Sequence, residues 1–120
     1  MVADVDAICF ARDWAAAWNR RDLEAVLRLF HEDAVFNSPL ACRMGFGDGG
    51  RVSGKEEIRR YWAAALATIP TLHFEVREVY ESIDTLVIAF HDAGGERRAE
   101  ILTFLDGLIV EGHGAGLICT

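Results

Sequence analysis

The 120-residue chain has the length of one domain, and a chain of this size buries roughly two-thirds of the surface that its unfolded form would expose. Three Trp, seven Phe and a hydrophobic share of 52% supply a core, which argues against disorder, and a formal charge of −7 with scattered Lys and Arg would repel phosphate backbones, which argues against a nucleic-acid partner. The opening Met1-Val2-Ala3-Asp4-Val5-Asp6 is acidic where a signal peptide needs positive charge, and no apolar run reaches the length of a membrane span, so a single cytoplasmic domain over 1–120 with no membrane partner is expected.

From Asp4 to Asn19 the apolar residues form two adjoining helical rows, Ala7-Phe10-Trp14-Ala17 and Ile8-Ala11-Ala15-Trp18, which predicts a mostly buried helix. Asp22 can accept hydrogen bonds from the free amides of a second helix, Leu23 to Phe30. Ala34 to Asn37 reads as a brief strand ended by Ser38-Pro39, because proline lacks the amide a central strand needs. A Gly-rich loop follows, from Leu40 to Val52. Ser53-Gly54-Lys55-Glu56 has the form of a capping box at the start of a third helix, whose apolar face carries Ile58, Tyr61, Trp62, Ala65, Leu66 and Ile69 until Pro70.

After Pro70 the period changes to two. Leu72, Phe74, Val76 and Tyr80 alternate with His73, Glu75, Arg77 and Val79 in a long half-buried strand. Three more strands follow, Thr85 to Asp92, Glu96 to Leu105 and Leu108 to Ile118, separated by Gly94-Gly95 and Asp106-Gly107 turns. Helix, helix, strand, helix and then four strands, without βαβ alternation, predict an α+β meander with helices on one face of a curved sheet.

Two glycine patterns do not carry the chemistry their spacing suggests. Gly45-Phe46-Gly47-Asp48-Gly49-Gly50 matches G-x-G-x-x-G but has no strand before it and no βαβ unit around it. Gly49 to Lys55 has the spacing of a phosphate loop, yet Glu56 stands where Ser or Thr would meet magnesium. The segment is read as a loop entering a helix and covering a cavity mouth. Cys9, Cys42 and Cys119 are odd in number and far apart, and the four His have no ligand spacing, so neither a disulfide framework, a metal nor any cofactor is expected.

The last hairpin carries the strongest chemical signal. A two-residue Asp106-Gly107 turn pairs Leu105 with Leu108; counting outward pairs Phe104 with Ile109, Leu102 with Glu111 and Glu100 with His113. Opposed residues share a face with Cβ atoms roughly 5 Å apart, so Glu100 and His113 are predicted to form a catalytic dyad. Alternation alone leaves the direction open, since Ala99, Ile101, Leu105, Leu108 and Val110 on the opposite face are at least as apolar. A homodimer through that outer sheet face would explain the second apolar surface.

The element order resembles the superfamily of nuclear transport factor 2, ketosteroid isomerase and the SnoaL-like polyketide cyclases over essentially the whole chain. The strings that carry the resemblance are Trp14-Ala15-Ala16-Ala17-Trp18-Asn19-Arg20-Arg21-Asp22-Leu23, Leu29-Phe30-His31-Glu32-Asp33-Ala34-Val35-Phe36, Gly54-Lys55-Glu56-Glu57-Ile58 and Asp106-Gly107-Leu108-Ile109. The resemblance implies a cone-shaped barrel, a curved, mostly antiparallel sheet wrapped around three helices of the N-terminal half, with a cavity between sheet and helices. It places Glu100 on the cavity side, and with it, by the register above, His113, Ala115 and Leu117. The aromatics expected to line the cavity are Trp14, Trp18, Phe36, Tyr61, Trp62 and Phe74, with Ser38 and Leu102 beside them.

Of the isomerase residues, the carbonyl-polarising tyrosine falls at Trp14 and the general-base aspartate at Ser38; only the protonated aspartate has a carboxyl counterpart, Glu100. Two departures out of three argue against a ketosteroid isomerase. The leading expectation is a SnoaL-like protein that binds a small apolar or aromatic ligand, with His113 and Glu100 dividing acid and base roles in isomerisation or cyclisation of a carbonyl compound and Tyr61 as an additional donor. A second reading is water addition as in limonene epoxide hydrolases. Arg98-Ala99-Glu100 resembles their Arg-x-Asp strand and Asn37-Ser38-Pro39 their water-positioning Asn-x-Pro, while Glu111 and His113 are imperfect substitutes for the second acid. The third is a non-catalytic dimeric binding or assembly module whose cavity is filled by its own aromatics.

Overall fold

The computed structural model describes Val2 and residues 6–118, so Cys119 and the proposed helix start at Asp4 lie outside the described residues. Helix α1 runs Ala7–Asn19, and its cap is Asp6, whose carboxylate accepts from the Cys9 amide at 3.1 Å. Ala11, Trp14, Ala15, Ala17 and Trp18 are buried, whereas Ile8 in the first turn is exposed. Asp22 caps α2 through the Ala25 amide at 3.1 Å, but α2 covers only Leu23–Leu27 and strand β1 already begins at Phe30 and runs to Asn37. The cause is long-range: the Ile109 amide donates to the Leu29 carbonyl at 2.9 Å and Phe30 pairs with Ile109, which draws the end of the expected helix into the sheet.

The Gly-rich segment contains two elements beyond the expected loop. Ser38 accepts from the Ala41 amide at 3.3 Å and opens a one-turn helix, α3, Pro39–Arg43, with Pro39 at the position where a missing amide costs nothing. Strand β2, Arg51–Ser53, pairs antiparallel with β1 and places Ser53 opposite Val35. Ser53 is therefore committed to the sheet, and the expected capping box does not form. Helix α4, Lys55–Thr68, starts instead at Gly54, with φ 84° and no side-chain cap; Glu56 bonds Arg59 at 2.7 Å rather than turning back. Ile58, Tyr61, Trp62 and Ala65 of α4 are buried.

Four antiparallel strands complete the sheet: β3 Glu75–Glu81, β4 Thr85–His91, β5 Arg97–Leu105 and β6 Leu108–Gly116. The spatial order is β2-β1-β6-β5-β4-β3, and the β1–β6 pairing is parallel. The result is the mixed α+β cone, a curved sheet that does not close, with the helices drawn from the N-terminal half. A bulge between Val76 and Glu78 reverses the expected alternation of β3: Val79 pairs with Ile88 on the inner face, and Tyr80, expected in the core, is 55% exposed and donates to Glu78 at 3.0 Å.

Asn19 ties α1 to the approach to β3, with its amide donating to the Phe74 carbonyl at 3.0 Å and accepting from the Phe74 amide at 2.8 Å. Behind this clasp the aromatics pack edge to face or offset: Trp18 on Trp62 at 5.0 Å, Trp62 on Phe30 at 5.2 Å, Trp14 on Phe74 at 5.3 Å and Phe74 on Phe90 at 4.4 Å between ring centroids. Among the described residues no helix is long and apolar enough to cross a membrane.

Candidate functional site

The Asp106-Gly107 turn forms as its residues dictate, with φ of 53° and 82°, and Leu105 pairs with Leu108 and Phe104 with Ile109. The ladder then slips. Val110 is an extra residue on β6, so Thr103 faces Glu111, Leu102 faces Gly112, Ile101 faces His113 and Glu100 faces Gly114. A shift of one residue sends each later side chain of β6 to the opposite face. The expected Glu100–His113 dyad is therefore absent from the structure: Glu100 is on the inner face and His113 on the outer.

Steric fit explains the slip. The inner face of β6 beyond the bulge is Gly112, Gly114 and Gly116. A Cβ at position 112 would lie 2.8 Å from the Phe36 ring and 3.3 Å from Leu102. Without the bulge, Glu111 and His113 would have to enter that space and lose their hydration, at a cost of several kcal/mol. With it, they join a solvated cluster in which one Glu111 oxygen is 3.3 Å from the Asn37 amide, 3.4 Å from the Arg51 guanidinium and 3.4 Å from His113 Nε2. Asn37, whose motif resembled a water-positioning residue, spends its amide on Glu111 and on the Gly112 carbonyl, away from Glu100.

Between the inner face and the helices is a cavity of about 530 Å³. Trp18, Phe36, Tyr61, Trp62, Phe74 and Phe90 give it aromatic walls, and its polar lining includes Ser38, Glu100, Arg43, Asp92 and Arg98. Trp14 and Leu102, expected to line it, are fully buried in the core behind these walls. Ala115 and Leu117 do contribute to its lining, together with exposed Ile118, and mark its mouth. Phe90 could have been found from the Leu86-Ile88-Phe90 alternation, since its position on the inner face follows from period two. Arg43 was hidden because α3 was read as loop.

Glu100 is 7% exposed and makes no hydrogen bond with a described residue. Burial among apolar walls disfavours its charged form and pushes its pKa up to about 8. The nearby hydroxyls of Ser38 and Tyr61 are 2.7 Å apart. Burial raises the Tyr61 pKa, against the opposing pull of the Ser38 hydrogen bond, and the Glu100 charge raises it further. The site is thus a largely apolar chamber in which one deeply buried carboxyl, its protonated form favoured by burial, accompanies a linked hydroxyl pair. Among the described residues, no group of His, Cys, Asp or Glu is arranged to hold a metal ion.

No curated protein matches the sequence. Among solved structures, a SnoaL-like protein of unknown function from Burkholderia thailandensis is 31% identical, with a TM-score of 0.88 over 98% of this chain and 100% of the other. A putative polyketide cyclase from Sinorhizobium meliloti, at 20% identity and a TM-score of 0.72 over 95% and 98% of the chains, shares the fold. So does TerC, co-crystallised with polyporic acid, at 20% identity and a TM-score of 0.76 over 92% and 91%. The SnoaL-like domain pattern matches residues 11–112, nearly the full length of the described fold, and the chain belongs to this SnoaL-like family within the nuclear transport factor 2-like superfamily.

Proposed function

We propose that this protein binds a small, mostly apolar ring compound in the cavity and that Glu100 moves a proton at a carbon next to a carbonyl of that ligand, giving isomerisation or cyclisation. The observation that carries the reading is a buried carboxyl, with no hydrogen bond from a described residue, facing an aromatic-walled space. With a pKa near 8, roughly a tenth of the carboxyls are ionised at pH 7, and each carboxylate is a stronger base than a solvated one. Such a carboxylate removes the α-proton and becomes neutral, while the Tyr61 or Ser38 hydroxyl donates to the enolate oxygen. Returning the same proton to another carbon completes an isomerisation with no net change in the protein. His113, on the outer face, has no part in this scheme.

The test is exchange of the α-protons of 2-tetralone in D₂O, followed by NMR. Glu100→Gln is expected to slow the protein-dependent exchange by about 100-fold or more. Equal exchange with wild type and Glu100→Gln would overturn the reading. We also propose a homodimer through the outer sheet face, supported by the half-buried Val87, Ala89, Ala99 and Ile101 on that side of β4 and β5. Light scattering that gives only monomer at micromolar concentration would refute it.

A further inference from the structure

We infer that the cavity mouth is an anion subsite, in which Arg98 and Arg43 receive the carboxylate of a ring compound whose apolar body lies among the aromatics and extends to Glu100. The inference rests on the reading of the cavity as a ligand site and names the class of ligand. Its basis is the state of two guanidinium groups that line the cavity.

Arg98 pairs with Phe90 and with Gly116 across its two ladders, so it shares the inner face with Glu100, two residues farther along β5. Its Nε donates to Asp92 Oδ2 at 2.8 Å, and the other Asp92 oxygen is taken by the amides of Gly94 and Glu96, each at 3.0 Å. Burial works to raise the Asp92 pKa, but the Arg98 hydrogen bond and these amides leave it below the ordinary value, so the carboxylate stays charged and holds the guanidinium plane in place. A Cβ at position 116 would lie 3.0 Å from Arg98 Nη1, so the glycine there makes the room in which the guanidinium rests. The Nη donors of Arg98 make no hydrogen bond with a described residue, and Arg43, on α3 across the cavity, makes neither a hydrogen bond nor an ion pair with one. The Arg43 charge reaches into the chamber, where it acts to lower the Tyr61 pKa.

Planar, oriented guanidinium donors with a free edge match a carboxylate in fork geometry. A dianionic phosphate would be repelled more strongly by Asp92 and Glu96, which also line the mouth. Residues two apart on a strand stand roughly 7 Å apart, so a carboxylate at Arg98 leaves about the width of a fused ring system before Glu100 is reached. The ligand class is therefore a fused-ring or aryl compound with a carboxylate at one end and its reacting carbonyl at the other.

Quenching of the cavity tryptophans, Trp18 and Trp62, measures binding of 2-naphthoate and of its neutral counterpart 2-naphthamide. Wild type is expected to bind the naphthoate about 10-fold more tightly or better. Arg98→Gln and Arg43→Gln should each erase much of that preference while leaving naphthamide affinity within about 2-fold. Asp92→Asn, which keeps Arg98 and removes its counter-charge, should strengthen naphthoate binding, an outcome that a purely structural role for the pair does not produce. Equal binding of the two probes by wild type, or equal weakening of both by Arg98→Gln, overturns the subsite while leaving the cavity reading intact. If wild type binds neither probe, the subsite and the cavity reading fall together.

Discussion

Glu100 stands opposite Gly114 across the last hairpin, and a Cβ on that glycine would lie 3.9 Å from the Glu100 carboxyl and 3.7 Å from the Phe36 ring. Those are ordinary contact distances, so Gly114→Ala should fold with near wild-type stability. Gly112→Ala should cost about 1–3 kcal/mol, because its methyl would have to displace the buried Phe36 ring. Gly114→Leu should fill the space over Glu100 and weaken 2-naphthoate binding by about 10-fold or more. Chemical denaturation of the two alanine variants and titration of the leucine variant provide the measurements.

The carboxyl of Glu100 also links stability to pH. Its folded pKa, about 8, is above the ordinary 4.5, so between those values the folded state holds more protons than the unfolded state. Its contribution is fully present below about pH 4.5 and is lost as pH rises through 8, with a slope of at most about 1.4 kcal/mol per unit. Glu100→Gln, neutral and of similar shape, should remove that slope. Urea midpoints of both proteins at pH 5, 6.5 and 8 would reveal it, and parallel profiles would show that Glu100 titrates normally.

His113 provides the contrasting case. Its side chain is 48% exposed and its neighbour is Glu111, so His113→Gln should change ketone exchange by less than about 2-fold. A loss as large as that of Glu100→Gln would mean that the imidazole reaches the cavity after all. Exchange rates of the two variants, measured side by side, decide the matter.

Asn19 closes one end of the core through both its amide oxygen and its amide nitrogen. Asn19→Ala leaves the Phe74 amide and carbonyl without that partner and should destabilise the protein by about 1–3 kcal/mol. Asn19→Asp should recover part of this, since a carboxylate can still accept from the Phe74 amide. Thermal or urea unfolding of the pair gives the comparison.

The helical rows around Trp14, Trp18 and Trp62, the Asp22 cap and the Asp106-Gly107 turn were all legible in the sequence, because each depends on groups within a few residues of one another. Strand order along the final meander was legible for the same reason. The position of Glu100 in the interior came from resemblance, and the inner face of β5 agrees with it.

What the tertiary structure alone decided is where alternation breaks. Period two predicts His113 beside Glu100 and Tyr80 in the core, and both predictions fail at a single inserted residue, near Val110 on β6 and near Arg77 on β3. Nothing local announces either bulge. The β6 bulge follows from Phe36, whose ring, brought from β1 by the parallel β1–β6 pairing, leaves room on the inner face only for Gly112. The same long-range pairing ends α2 early, and the β1–β2 pairing takes Ser53 from its cap. A sequence determines its turns and amphipathic faces through neighbours along the chain, whereas register depends on which distant side chain must occupy a given space, and that is settled only when the strands meet.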